Sequence, residues 1–231
     1  MSSLFAPVEE TRRAELERAQ AKALKLFETI EREGLVRAGV TERQVEDEIG
    51  QLAEREFRVE KHWHRRIVRS GSNSITIAGD NPPVRIIAGD DIVYVDLGPV
   101  FEAWEADIGK SYVLGDDPEK QRLVTDLPRL FEQVQAHYHC EPGMSGADLY
   151  AYAKRAADDA GWRFGGKIAG HIVSEFAHAL IPGDKELNRI SPFNPAPMTD
   201  LDGKGRCRHW ILEIHLVAKG GNFGGFYERL L

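Results

Sequence analysis

The fold is decided by an apolar stretch that carries one acid. Residues 91–98 read DIVYVDLG, and residues 106–112 follow with ADIGKSY. The run from Ile92 to Leu97 is apolar and rich in β-branched side chains, which predicts a buried strand. Because a bare charge is costly to bury, Asp96 in the middle of this strand must be paired with or bound to another group.

The next acid, Asp107, is predicted to face Asp96. A turn near Phe101 and Glu102 folds the strand back so that the two aspartates lie directly opposite each other. Cross-strand neighbours have Cβ atoms about 5 Å apart. Two carboxylates this close repel each other unless one is protonated or a cation lies between them. Glu102 and Glu105 are predicted to be solvated charges at the tip of this hairpin.

A second hairpin, close to the end of the sequence, repeats the arrangement. Residues 210–217 read WILEIHLV, again an apolar strand with one carboxylate inside it. Gly220 and Gly221 suit a two-residue turn, and a turn there places Glu213 directly opposite Glu228. The four carboxylates of the two hairpins suit a site for two divalent ions, since hard and borderline cations bind oxygen ligands.

Composition excludes several classes of protein. The 231 residues carry a formal net charge of -7, which argues against nucleic acid as the partner. Cys140 and Cys207 match no metal or redox spacing, and free thiols suit a reducing compartment. Residues 1–6 show no signal peptide, and no apolar stretch approaches the roughly 20 residues that span a bilayer. We therefore expect a cytoplasmic protein without membrane contacts, and the sequence leaves a homodimer open.

The chain is predicted to be one domain over residues 1–231 with two similar halves, about 1–115 and 116–231. Helical spacing and capping signals predict four helices, over about 8–33, 41–57, 119–139 and 145–160. Residues 62–69 predict a strand with a basic face. The order of helix, helix, strands and hairpin thus occurs twice, so each half can present one acidic hairpin to a shared centre.

Five candidate ligands resemble, in their order, the metal-binding set of a known family. They are Asp96, Asp107, His171, Glu213 and Glu228. The set resembles that of the metallopeptidases that include methionine aminopeptidase, Xaa-Pro aminopeptidase, prolidase and creatinase, and the resemblance extends from about residue 8 to the end. It implies an α+β pita-bread fold, in which pseudo-twofold duplicated helix–hairpin halves surround a dinuclear metal site. The two divalent ions would be manganese, cobalt, iron or zinc, among which the sequence does not choose.

The resemblance also implies a role for each ligand. Asp96 would bind one ion through both of its oxygens. Asp107 and Glu228 would bridge both ions. His171 and Glu213 would complete the shell of the other ion. A water activated by the two cations would be the nucleophile, because bound cations lower its pKa.

Two residues are implied as catalytic. Glu213 would move protons as well as bind an ion. His178, seven residues after His171, would hold or polarise the scissile carbonyl and so stabilise charge that develops in the transition state. The alternative for His178 is an ordinary hydrogen-bonded histidine in a loop.

Three further histidines are candidates for substrate binding. Members of the family usually carry another histidine shortly before the first aspartate, but residues 77–83 contain none. His62 and His64 alternate along the predicted strand, share a face and could supply it; the alternative is a solvated basic edge strand. His215 stands where the family commonly has proline. It shares a strand face with Glu213, so it could enter the site or support it from behind.

The sequence therefore predicts a metal-dependent hydrolase of the metallopeptidase class. The activity that the resemblance implies most directly is that of an aminopeptidase or dipeptidase of Xaa-Pro type, acting on a small peptide or amide. One alternative is a hydrolase or lyase for a non-peptide small molecule, which the altered histidines favour. The other is a pita-bread protein that binds a partner without catalysis, although no ligand of the set is lost.

Overall fold

Four helices form where the sequence predicts them. The computed structural model describes residues 6–141 and 143–231. The helices are α1 Ala6–Arg32, α2 Glu42–Phe57, α3 Pro118–Cys140 and α4 Gly146–Asp159. None of the helices in this part of the chain is both long and apolar enough to span a membrane. Residues 1–5, which belong to the segment expected to carry no signal peptide, lie outside this description, so that expectation stays a prediction.

Helices α2 and α4 begin in the same way. Thr41 and Gln44 form a capping box at α2, with reciprocal bonds of 2.8 and 3.1 Å between side chains and backbone. Ser145 and Asp148 do the same at α4. Because a capping box satisfies two of the free backbone N–H groups at a helix start, these local pairs fix where both helices begin.

The described residues form ten strands, six between α2 and α3 and four after α4, and most of them belong to one antiparallel sheet. They are β1 Lys61–His62, β2 Ile67–Ser70, β3 Ile92–Leu97, β4 Pro99–Phe101, β5 Trp104–Glu105, β6 Ile108–Val113, β7 Arg163–Phe164, β8 Gly170–Val173, β9 His209–Val217 and β10 Gly224–Leu230. The large sheet has the order β2-β3-β6-β10-β9-β7, and β8 pairs with β9 beside this path. The continuous strand predicted over residues 62–69 is wrong, because the chain bends at residues 63–66 between β1 and β2.

The second acidic hairpin has the predicted register. Glu213 of β9 pairs with Glu228 of β10. The turn between the strands is closed by a bond of 2.8 Å from Gly221 N to Ala218 O, and Gly221 has a φ of 69°, which glycine adopts without strain.

The first acidic hairpin is shifted from its predicted register. Asp96 pairs with Gly109 and not with Asp107, because the turn is centred one residue later, between Glu102 and Ala103. Glu102 takes the positive φ of 60° that this turn requires. Moving a turn centre by one residue shifts the pairing by two, and side chains alternate with a period of two. Asp107 therefore stays on the same face as Asp96, as a diagonal neighbour.

The helices cover the face of the sheet opposite the acids. Val95, next to Asp96, packs in a cluster with α1 and α2. Leu212 and Ile214, on either side of Glu213, pack in a cluster with α3 and α4. Because neighbours along a strand point to opposite faces, burying these apolar residues under the helices forces the acids to the other face. The division into one domain with two halves stays a prediction.

Candidate metal centre

A row of pairings across four strands brings the acids together. Asp96 pairs with Gly109, Gly109 with Glu228, and Glu228 with Glu213. Asp107 lies two residues before Gly109 on β6. Strands from the middle and from the end of the described chain thus contribute to a single line of carboxylates in the sheet.

Gly109 leaves this row without a side chain where one would not fit. A Cβ at this position would lie 2.4 Å from the ring of Phe226 and 3.2 Å from Cβ of Glu228. The first distance is far below van der Waals contact. The glycine in Ile108-Gly109 therefore lets β6 and β10 place Asp107 and Glu228 close together.

Two overlapping groups of ligand atoms result. One holds His64, Asp96 and Asp107, and the other holds Asp107, His171 and Glu228; within each group the ligand atoms lie within 4.8 Å of one another. Nε2 of His171 is also 3.8 Å from Oε1 of Glu213. The structure thus brings all five predicted ligands to one place, with Asp107 at its centre.

Burial and mutual repulsion shift the carboxyl groups. Burial raises the pKa of Asp96 to about 7 and that of Glu213 to about 7, against the attraction of the nearby imidazoles. Burial, followed by the charges of its acidic neighbours, raises the pKa of Glu228 well above its ordinary value. Burial also acts on Asp107, but His171 and His64 outweigh it and lower the pKa of that carboxyl. Such concentrated negative charge attracts a multivalent cation.

The residues fit divalent ions. Oε2 of Glu228 is buried and has no hydrogen-bond partner among the described residues. Oδ2 of Asp107 is equally buried. His171 Nε2 lies 3.0 Å from this oxygen, but the angles do not allow a hydrogen bond between the two atoms. A buried charged oxygen without a partner costs several kcal/mol. Carboxylate oxygens with one or two imidazoles are the donor set of manganese, iron, cobalt and zinc sites.

A cavity of about 690 Å³ opens onto these ligands. Its walls are largely apolar on one side, where Ile67, Tyr94 and Phe226 pack together. Cationic side chains also line it, namely Arg65, Lys167, Lys185 and Arg189. Its acidic lining residues are all members of the five-ligand set. The cavity can therefore hold an apolar group near the acids and a negatively charged group near the cations.

A buried acid, Glu105, holds His178 in this cavity. Glu105, predicted to be a solvated charge, is 1% exposed. Its carboxylate accepts bonds from Nδ1 and from the backbone N of His178, at 2.8 and 3.0 Å, and from Ser174 N at 3.2 Å. The prediction for Glu105 is wrong because its partners come about 70 residues later in the chain. Since Nδ1 donates to the carboxylate, Nε2 is the ring nitrogen left for a ligand.

Trp63 is another residue of the site that the sequence does not predict. Its ring makes edge contacts with the rings of His64, His171 and His178, at centroid distances of 4.4, 5.0 and 4.8 Å. One indole therefore limits the movement of three imidazoles. Its position, directly before His64 in a bend, could have suggested proximity to the site but not this contact with the two later histidines.

The three histidines considered for substrate binding lie in different places. His64 reaches Asp96 and Asp107, with Nε2 at 3.4 and 3.2 Å from their Oδ1 atoms. His62 lines a separate cavity of about 270 Å³. His215 lines the large cavity, and its Nε2 lies 2.9 Å from Ser74 O. Burial lowers the pKa of His215 to about 4, so the imidazole is neutral.

Sequence comparison assigns the chain to a class of proteins. The family described as metallopeptidase family M24 matches residues 14–196, so the chain belongs to this family and the predicted resemblance is confirmed. Among individual relatives, the Xaa-Pro dipeptidase of Lactobacillus delbrueckii subsp. lactis is 28% identical over 192 residues, which are 80% of this chain and 51% of that protein. The match covers between 34% and 51% of the length of these curated relatives.

Solved structures show the same fold. The X-Pro aminopeptidase from Thermotoga maritima has a TM-score of 0.74 at 21% identity, over 95% of this chain and 57% of that one. The methionine aminopeptidase from the same organism has a TM-score of 0.65 at 17% identity, over 92% and 88% of the two chains. The predicted pita-bread fold is thereby confirmed.

Proposed function

We propose that the chain is a dinuclear metal-dependent hydrolase that cleaves small peptides, with Xaa-Pro dipeptides as the substrate class. The observation that carries this proposal is the convergence of Asp96, Asp107, His171, Glu213 and Glu228 at one end of a large cavity. The family membership and the Xaa-Pro dipeptidases among the relatives support it.

Each ligand has a proposed position. Asp96 would hold one ion, and His171 and Glu213 would hold the other. Asp107 and Glu228 would supply ligand oxygens to both. Divalent ions bound here would act as Lewis acids and would lower the pKa of a bound water.

The protein's own groups would then handle substrate and protons. Glu213, which is partly open to the cavity, takes up and returns the proton that moves during hydrolysis. His178, oriented by Glu105, faces the scissile carbonyl and stabilises its developing charge. The apolar wall near Tyr94 and Phe226 receives an apolar side chain of the substrate. The cations lining the cavity suit the free carboxylate of a dipeptide.

A non-peptide substrate is the second candidate, and His215 favours it. A neutral imidazole in an otherwise apolar wall offers a specific hydrogen bond, and Ser74 O engages only one of its nitrogens. A small amide or amidine with an N–H group would match such a wall. This candidate keeps the metal centre and changes only the group that is cleaved.

The test is turnover by the metal-loaded protein. The purified chain is freed of metal, loaded with manganese, cobalt, iron or zinc, and given a panel of Xaa-Pro and Xaa-Ala dipeptides, small amides and amidines. We expect hydrolysis of Xaa-Pro dipeptides that depends on added ions and is lost in Asp107→Asn. Full loading with turnover of amides or amidines alone would support the second candidate. Full loading without any turnover, or no ion bound at all, would reject both and favour a non-catalytic binding protein.

A further inference from the structure

The imidazoles of His64 and His171 have similar orientations on the two sides of Asp107. His171 places Nδ1 2.8 Å from the carbonyl oxygen of the next residue, Ile172, and Nε2 3.0 Å from Oδ2 of Asp107. His64 places Nδ1 2.6 Å from the carbonyl oxygen of its own next residue, Arg65, and Nε2 3.2 Å from Oδ1 of Asp107. The same local bond therefore turns both rings so that each addresses one oxygen of the same carboxylate.

Each imidazole also faces a second acid, one from each hairpin. His64 Nε2 lies 3.4 Å from Asp96 Oδ1, and His171 Nε2 lies 3.8 Å from Glu213 Oε1. The two sides of the site thus have matching donor sets. Each side has one histidine and one acid of its own, and the two sides share Asp107. One set comes from residues 64–96 and the other from residues 171–213.

The ring of His64 is held in place by its surroundings. A Cβ on Gly98 would lie 2.3 Å from His64 Cδ2 and 2.4 Å from Trp63 Nε1, so only glycine permits this approach. The edge contact with Trp63 also limits the movement of the ring. Residues that hold a histidine at a fixed angle beside two carboxylates are typical of a built binding site.

The bond to Arg65 decides what the other nitrogen can do. A carbonyl oxygen only accepts, so Nδ1 carries a proton, and Nε2 is the nitrogen whose lone pair can bind a metal ion. Nε2 lies 3.4 Å from Asp96 Oδ1 and 3.2 Å from Asp107 Oδ1. These three atoms are close enough together to be ligands of one cation. A metal-binding histidine almost always donates its other N–H to a carboxylate, a backbone carbonyl or a water, and His64 has such a carbonyl in Arg65 O.

We propose that His64 is a ligand of the ion held by Asp96 and Asp107, so that each ion of the centre has one histidine. This assignment rests on the proposed metal centre. It replaces the expectation that His64 binds substrate. It also predicts that both positions prefer borderline metals such as cobalt, iron or zinc over magnesium, because an imidazole is a poor ligand for hard cations.

The test is to count metal-bound histidines in the cobalt protein. In a proton NMR spectrum, cobalt(II) shifts the exchangeable Nδ1–H signal of each ligating imidazole far outside the ordinary range. At two cobalt ions per chain we expect two such signals in the unchanged protein. His64→Ala should remove one, His171→Ala the other, and the control His62→Ala neither. His64→Ala should also weaken one of the two cobalt affinities by at least about 10–100-fold, the effect of losing even a group that only supports a ligand.

The outcomes separate this assignment from the metal centre itself. Two bound cobalt ions with a single shifted signal, lost in His171→Ala and kept in His64→Ala, would overturn the assignment and leave the metal centre intact. In that case His64 forms only an ion pair with Asp96 and Asp107. No bound cobalt and no shifted signal would overturn the metal centre, and the assignment with it. Counting signals in the unchanged protein decides the question even where a variant does not fold.

Discussion

Glu105→Gln tests whether a buried acid positions His178. Glu105 accepts three hydrogen bonds, from Ser174 N and from two nitrogens of His178. Glutamine keeps one acceptor oxygen and puts an NH₂ group in place of the other, so at least one buried N–H loses its partner. An unsatisfied buried donor costs about 2 kcal/mol. For a chain of this size that corresponds to a fall in Tm of about 4–8 °C.

The matched control lies in the same hairpin. Glu102 is exposed at the turn, and its ion pair with Lys22 joins two exposed side chains. Glu102→Gln should leave Tm unchanged, because exposed ion pairs contribute little to stability. Thermal unfolding of the two variants under identical conditions compares a buried and an exposed acid three residues apart.

The effect on catalysis separates positioning from mere stability. If Glu105 fixes the ring of His178, Glu105→Gln should lower kcat for a dipeptide by about 100-fold, the usual effect of a small misplacement of a reacting group. The number of bound ions should stay unchanged, because no proposed ligand is altered. A variant as stable as the unchanged protein would refute the buried network. Lowered stability with an unchanged kcat would show that His178 does not act on the substrate.

Three further substitutions probe how the site is built. Gly109→Ala places a Cβ 2.4 Å from the ring of Phe226 and should lower the free energy of unfolding by about 1–3 kcal/mol. The control Gly89→Ala, whose new Cβ has nothing within 4 Å, should leave the free energy of unfolding unchanged. Equal stability of the two variants in urea would contradict the close packing of Gly109 against Phe226. Trp63→Ala frees three imidazoles and should weaken ion binding by about 10–100-fold in a calorimetric titration; unchanged affinity would deny Trp63 this role. Glu42→Gln removes one acceptor from a buried carboxylate that binds Ser70 N at 2.6 Å. This substitution should lower the free energy of unfolding by about 2 kcal/mol and speed amide hydrogen exchange in residues 70–85. Unchanged exchange there would show that Glu42 does not hold this segment in place.

The parts of the fold that depend on neighbouring residues could be predicted from the sequence. The capping boxes at Thr41 and Ser145 decide two helix starts within four residues. The diglycine turn at Gly220 and Gly221 fixes the register that pairs Glu213 with its partner on β10. In these cases all the interacting groups lie within a short stretch of chain, so the pattern contains the whole physical cause.

The parts that failed depend on groups far away in the sequence or on one unusual backbone angle. The register of the first hairpin could not be predicted, because the residue that adopts the positive φ is Glu102 rather than a glycine or asparagine. The burial of Glu105 depends on partners that a later loop supplies. His64 was predicted on a strand face beside His62, but the bend after β1 separates them and turns only His64 into the site.

Anomalous diffraction from crystals grown with cobalt tests the central claim most directly. We expect two peaks at the row of carboxylates, about 3.5–4 Å apart as in other two-metal sites, with Asp107 and Glu228 next to both. A single peak, or peaks away from these side chains, would contradict a centre that holds two ions between the two acidic hairpins.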